Sequence, residues 1–370
     1  MSRSIRRFFS HSTFLASDLQ LDLKPSIPPN FSSKGLVLEF GKVSTDHMVE
    51  ILFTKKKGWD SPRIVPFQHL RVHPFNSTLH YALSAFEGMK AYRNKKEVRL
   101  FRPEQNMLRL LESAKRLSFP AFDPSELLKV LEQFVLVEKE WIPTRSGTSL
   151  YLRPMMMSMT NFLGVHAAED IAIYVMACPV DKYFSSDKLN LKVYEDYWRG
   201  TPKSAAGFKL ACNYGPTVKI GEDLKKEGYS QALWAFEENL LESGASNVFF
   251  LRQEGQRLEL VTHPLDNSIL PGVTRSTILE IAHQVVPDIK VSVRPYCFDE
   301  FIDDFNKGRL KEVFACGTAA IIGAVHRVNL RNHNYDFEYS DSSVSHKLKA
   351  HILDIQEGRV AHPFSHVIKG

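Results

Sequence analysis

Gly207-Phe208-Lys209-Leu210-Ala211-Cys212-Asn213-Tyr214-Gly215-Pro216 is the stretch on which the reading of this 370-residue chain turns. A lysine stands among apolar and small residues, and a phenol follows five positions later. Such surroundings can desolvate the amine, lower its pKa and make it nucleophilic toward carbonyls. Most lysines are solvated, so the stretch by itself leaves Lys209 open between a surface cation and a reactive amine.

The flanking sequence reads as a mixed α/β or α+β protein of two domains. Residues 21–34 are Pro- and Ser-rich and predict an extended lead-in. Strands are expected over 35–40, 48–53, 149–155 and 171–180. Met107, Leu110, Leu111, Ala114 and Leu117 fall on one face of a helix over 102–117. Asp123-Pro124-Ser125-Glu126 opens a second helix with an N-cap acid, a proline at the first helical position and a capping-box Glu; it is expected to run to about Trp141. The short polar stretch 181–188 reads as a linker between a small N-terminal α/β domain (30–180) and a larger C-terminal domain (189–370). In the latter, strands are expected at 190–194, 231–235, 247–251, 258–261 and 312–315, and helices at 214–227, 273–286 and 345–356.

Composition narrows the function classes. The formal net charge is +5, but Arg3, Arg6 and Arg7 precede the first acid, Asp18. The body beyond therefore carries about +2, too little for a nucleic-acid footprint. No apolar run approaches the ~18 residues of a membrane span. Cys178, Cys212, Cys297 and Cys316 form no Cys-x-x-Cys pair and no metal-ligand spacing, so reduced, inert thiols are expected and no metal. Residues 1–16 are acid-free and mix Arg and Ser with Ile and Phe, the composition of a mitochondrial transit peptide. Arg7-Phe8-Phe9-Ser10 looks like a matrix-peptidase cleavage context. The matrix is the expected location; a cytoplasmic protein with a basic tail is the alternative.

Residues 199–216 resemble the cofactor-lysine segment of branched-chain amino-acid aminotransferases, which are fold-type IV pyridoxal-phosphate enzymes. Further matches follow in register: Phe40-Gly41-Lys42, Leu79-His80-Tyr81, Phe86-Glu87-Gly88-Met89-Lys90-Ala91, Phe101-Arg102-Pro103, Tyr151-Leu152-Arg153-Pro154, Glu242-Ser243-Gly244, Ile269-Leu270-Pro271-Gly272-Val273 and Gly317-Thr318-Ala319. The resemblance covers roughly residues 17 to 365. It implies a smaller α/β domain and a larger one with a barrel-like sheet, a homodimer, and exchange of the amino group of L-leucine, L-isoleucine or L-valine with 2-oxoglutarate.

Pyridoxal phosphate asks for a lysine at its aldehyde, a carboxylate at its pyridine nitrogen, a partner for its ring oxygen and an anion cup for its phosphate. The resemblance assigns these to Lys209, Glu242, Tyr214 and a cup made by Arg109, Thr318 and the helix start at Val273 and Thr274. Arg199 aligns with an arginine near the cofactor. Phe40, Tyr81, Phe86, Tyr151 and Val165 match an aromatic substrate pocket, the Tyr81 and Val165 regions contributing across a dimer interface in relatives. Arg153 matches the arginine that neutralises a second carboxylate, and the N–H groups of Thr318 and Ala319 match the α-carboxylate site.

The chain departs from the family at several places. Ala211 and Cys212 stand where two glycines are usual, Ala245 replaces a threonine, and Ala320 and Gly323 replace the redox cysteines of animal relatives. The rival readings are another fold-type IV enzyme, either a D-amino-acid transaminase or an aminodeoxychorismate lyase, and a non-catalytic ligand-binding pseudoenzyme.

Overall fold

The computed structural model of the protein describes residues 13–31, 37–94, 97–181 and 188–369. Most of the expected leader, residues 32–36 and most of the expected linker lie outside that set. Two compact units emerge. The first comprises Met1–Tyr183, Lys209–Cys212 and Ile355–Gly370, and the second Phe184–Phe208 and Asn213–Asp354. The second unit therefore lacks two pieces of the 189–370 expected for it, and both losses have a hydrogen-bonding cause. Ser365–Ile368 is an antiparallel partner of Glu97–Phe101. Leu210 bridges to Ala85, and Phe86 N–H donates to the Lys209 carbonyl at 3.0 Å.

The first unit is built on a ten-stranded sheet. Its long central strands, Ser149–Ser158 and Asp170–Val180, pair antiparallel, and His47–Thr54 and Met89–Asn94 flank them. Two long helices accompany it, besides the short helix Ser77–Tyr81. Pro103–Arg116 buries Met107, Leu110, Leu111 and Ala114, four of the five residues expected on its apolar face. Pro124–Val137 starts where its cap predicts, with the Asp123 carboxylate accepting from Ser125 N–H. It stops short of Trp141. Glu138 is fully buried and hydrogen-bonds His47, and Lys139–Trp141 tighten into a 3₁₀ turn that lets Trp141 Nε1 donate to Asp46 at 2.9 Å. Tertiary partners end this helix, not its propensity.

The capping box also closes differently from expectation. Glu126 accepts from Ala16 N–H at 2.7 Å, and Asp123 N–H donates to Thr13 Oγ1 at 2.9 Å. Residues 37–40 form no strand. Leu38 instead donates its N–H to the Asp181 carboxylate and accepts from Asp181 N–H.

The second unit holds a nine-stranded sheet. Asn239–Ser243, Gln231–Phe236, Leu189–Tyr194, Ile321–Leu330, Leu310–Gly317 and Ser246–Glu254 follow one another, and the last pairs back onto the first. Six strands thus close a barrel, which leaves no edge within the ring. Leu191, Leu233, Val248, Phe250, Val313 and Val325 belong to one buried cluster, with Tyr296, Phe298 and Phe301 packed into it. Helix Val273–Val285 starts where Gly272 predicts. The expected 214–227 helix begins only at Val218, after a 3₁₀ turn over Gly215–Thr217 that contains Pro216. Among the described residues no helix is long and apolar enough to cross a membrane.

Candidate active site

In the first unit, Lys209 is held by its backbone. Its carbonyl accepts from Phe86, and its N–H donates to Ser113 Oγ of helix Pro103–Arg116 at 3.0 Å. The half-buried side chain lays its amine 4.8 Å from the centre of the Phe86 ring. Beside Phe86 sits Glu87, fully buried and missed by the reading of the sequence. Its two oxygens receive Arg109 Nε at 2.6 Å and Arg109 Nη2 at 2.8 Å, and Asn106 Nδ2 adds a bond at 2.9 Å. Burial pushes this carboxyl up, yet the Arg109 guanidinium, the Lys209 amine and Asn106 together hold it below the usual carboxylate range. The signal for Glu87 was present: an acid between two strand-like runs rich in apolar residues must be paired if it is buried.

Tyr151 and Arg153 lie two residues apart on the central strand and share a face. Arg153 Nη2 donates to the Tyr151 hydroxyl at 3.2 Å, and the guanidinium stands 4.7 Å from the Phe86 ring centre. Phe40 meets Tyr151 edge-on at 4.7 Å. Gly88 makes room here, because a Cβ at that position would overlap the Tyr151 hydroxyl. These side chains border a cavity of about 190 Å³, lined by Phe40, Phe67, Tyr151, Arg153, Met176 and Cys178. Arg153 Nε is buried and has no hydrogen-bond partner among the described residues. Lys90, directly opposite Tyr151 in register, is buried as well, and burial lowers its ammonium to about 8.

Tyr81 and Val165 form a separate grouping. The Tyr81 hydroxyl accepts from Gly164 N–H at 3.0 Å, and the neighbouring Val165 is 85 % exposed. Phe75, Leu79, Phe162 and Leu163 are exposed in the same two segments, the short helix Ser77–Tyr81 with its lead-in and the loop after Ser158, which Ser77 N–H and the Thr160 carbonyl join at 3.0 Å.

In the second unit, Glu242 is buried near the end of its barrel strand. It is ion-paired with Arg199, itself buried, and accepts from Leu270 N–H at 3.3 Å and Asn247 Nδ2 at 3.4 Å. Asn247 also donates to the Leu270 carbonyl at 2.9 Å, so it fixes the loop that leads to Gly272. A Cβ on Gly272 would strike the Asn247 side chain. The Arg199 guanidinium stands 5.8 Å from the Tyr214 ring centre.

Val273 and Thr274 are buried in the first turn of a 13-residue helix that no side chain caps, which leaves its N–H groups for an anion. Thr318 and Ala319 occupy the half-buried turn between Leu310–Gly317 and Ile321–Leu330. Pairing of Asn247 with both Glu242 and Cys316 puts that turn at the same barrel end as Gly244 and Ala245. Cys316 is buried, which pushes its thiol far up, and all four cysteines are unbridged. Among the described residues no cluster of three or more His, Cys, Asp or Glu could hold a metal ion.

A family model described as amino-transferase class IV matches residues 84–328. The mitochondrial branched-chain-amino-acid aminotransferase of Bos taurus is 38 % identical over 367 residues, 96 % of this chain and 92 % of that protein. The mitochondrial protein of the same name from Schizosaccharomyces pombe is 38 % identical over 87 % of this chain and 78 % of its own length. A cytosolic one from Rattus norvegicus is 35 % identical, covering 94 % of this chain and 86 % of its own. The fold is that of the Thermobaculum terrenum branched-chain aminotransferase in its PLP form, with TM-score 0.72 and 19 % identity, covering 88 % of this chain and 99 % of that one. The Thermoproteus uzoniensis branched-chain aminotransferase, solved with norvaline, matches with TM-score 0.71 and 22 % identity over 87 % and 100 % of the two chains.

Proposed function

We infer the function from one premise: this chain belongs to the class IV aminotransferases and, within them, to the branched-chain-amino-acid aminotransferases. It transfers the amino group of L-leucine, L-isoleucine or L-valine to 2-oxoglutarate, reversibly, giving the branched 2-oxo acid and L-glutamate. The cofactor is pyridoxal 5′-phosphate.

The residues present fit that group. Glu242 is a buried carboxylate fixed by Arg199, Asn247 and Leu270, suited to keeping a ring nitrogen protonated. In the second unit the uncapped helix at Val273 and Thr274 and the Thr318 hydroxyl supply donors for a phosphate, and the family pattern gives Arg109 a phosphate role as well. Tyr214 takes the ring oxygen, and Lys209 takes the aldehyde. When bound, the cofactor draws off the electron pair left at the substrate Cα. Lys209 would hold the aldehyde at rest and, with its amine free, would be the base that takes the proton from the substrate Cα and gives it up again, in both directions of the reaction. Thr318 and Ala319 N–H groups hold the α-carboxylate. Phe40, Phe86 and Tyr151 accept the branched side chain.

The observation that carries this reading is the buried, unpartnered Arg153 Nε at a cavity lined for the rest by Tyr151, Ser44 and mainly apolar residues. An aliphatic chain fits such walls, and the γ-carboxylate of glutamate answers the guanidinium. The test offers the purified protein L- and D-forms of Leu, Ile, Val and Ala with 2-oxoglutarate. Turnover of the L-branched set alone is expected; D-alanine turnover would make the protein a D-amino-acid transaminase.

The exposed apolar side chains around Tyr81 and Val165 support a homodimer in which those loops are covered. The basic leader, and mitochondrial relatives at 38 % identity, support the mitochondrial matrix, although cytosolic relatives also occur.

A further inference from the structure

Phe14 falls within residues 1–16, the stretch whose composition reads as a leader, yet its side chain is only 3 % exposed. Its ring meets Trp59 edge-on at 5.4 Å and lies against Phe122 at 6.4 Å with nearly parallel planes. Trp59 is fixed in turn by its Nε1–H bond to the Ala121 carbonyl at 3.0 Å. Leu15, the next residue, is 47 % exposed, so apolar burial is concentrated on one anchor.

The backbone around Phe14 is tied down as well. Thr13 Oγ1 accepts the Asp123 N–H, and Ala16 N–H donates to Glu126. These two bonds do the work a capping box would do within helix Pro124–Val137, satisfying the N-cap N–H and engaging Glu126, the acid at the third helical position. Gln20–Leu21 then adds a parallel strand to Arg63–Pro66. Lys24 N–H reaches His47 Nε2 at 3.0 Å.

We propose that residues 13–21 are a permanent strap of the mature protein, and that the cut removing the basic leader falls on the N-terminal side of Thr13. An endopeptidase adds water across one peptide bond there. The leader leaves with a new carboxylate, and the body keeps a new amino terminus. The Arg7-Phe8-Phe9-Ser10 context lies on the permitted side. A cut at residue 16 would empty the slot between Trp59 and Phe122 and strip two partners from the helix start. Only the existence of the cut rests on the organellar reading; the strap stands on contacts within the first unit.

The experiment compares the melting of three holoenzymes: the full chain, a chain starting at residue 13 and a chain starting at residue 17. It also reads the intact mass of protein recovered from mitochondria. The chain from 13 should melt with the full chain, and the chain from 17 lower by on the order of 5–10 °C, as loss of a buried phenylalanine and its cap bonds requires. Should the chain from 17 not fold, Phe14→Ala in the full chain is expected to reproduce most of the fall, and Phe14→Leu a smaller one. The recovered protein should begin at Thr13 or earlier. Equal melting of the shortened chains, or a mature terminus at Phe14 or beyond, overturns the proposal. An uncut chain confined to the cytosol overturns the organellar reading and the cut, while the melting comparison still decides the strap.

Discussion

The two units carry buried carboxylates in opposite electrostatic settings. Around Glu87 in the first unit gather Arg109, which grips it with two nitrogens, and Lys209, whose charge it feels. Arg153 and Lys209 both stand over the neighbouring Phe86 ring, and Lys90 lies opposite Tyr151. Glu87 thus answers two cations, Arg109 and Lys209. Around Glu242 in the second unit the balance is closer, with Arg199 paired to it and neutral donors on its other oxygen. A surplus of positive charge attracts and orients anions, whereas a single fixed carboxylate tunes the proton affinity of one atom. The first cluster is suited to holding phosphate and carboxylate groups, and the second to electronic control of the ring.

Removal of the amine that the first cluster carries should have the largest effect. Lys209→Ala is expected to abolish transamination and the borohydride-reducible visible absorbance; their persistence would dissociate the Lys209 cluster from chemistry. Glu242→Gln should lower kcat by on the order of 10²–10³ while the protein keeps its cofactor, because a carboxylate at the ring nitrogen acts on the reacting charge more than on binding. Unchanged turnover would erase the contrast between the clusters.

Arg153→Met sharpens the comparison from the anion side. It should raise KM for 2-oxoglutarate by roughly tenfold or more, and that for leucine little, since only the dicarboxylate brings a second charge to be buried. Half-reaction kinetics with each substrate measure this, and equal losses would reduce Arg153 to a support of the strand. A titration probes Glu87. Its folded pKa lies below the ordinary 4.5, so its stabilisation is present above that value and is lost as pH falls through the folded pKa. Acid melting curves of Glu87→Gln should therefore be flatter below about pH 4.5 than those of the parent. Smallest of all, Ala245→Thr restores a hydroxyl worth about 1 kcal/mol, and should shift the preference among Leu, Ile and Val by at most about fivefold.

Much of the frame was legible beforehand, for identifiable reasons. Apolar spacing in Pro103–Arg116, the Asp-Pro start of Pro124–Val137 and the β-branched run of Asp170–Val180 are local signals, and local signals survive without a tertiary context. Met89–Asn94 and Ile321–Leu330 went unread as strands because each is completed by a partner far along the chain, and Asn239–Ser243 because it is short and its pattern is interrupted by Glu242. The site divides the same way. Lys209, Glu242 and Arg153 were legible through the in-register family motifs around them, while Glu87, Asn106 and Asn247 matter through what they hold.

The sequence by itself determined the residue types of the chemistry, their order and the family to which they belong. Only the tertiary structure decided which unit owns each piece. Lys209–Cys212 joins the first unit through backbone pairing with residues 85 and 86, the C-terminal strand joins it beside Glu97–Phe101, and Phe14 belongs to a folded body although composition assigned it to a leader. Composition reports average solvent preference over a stretch. Membership of a unit is set by individual long-range contacts, a single buried ring or one shared hydrogen bond, which no local average contains.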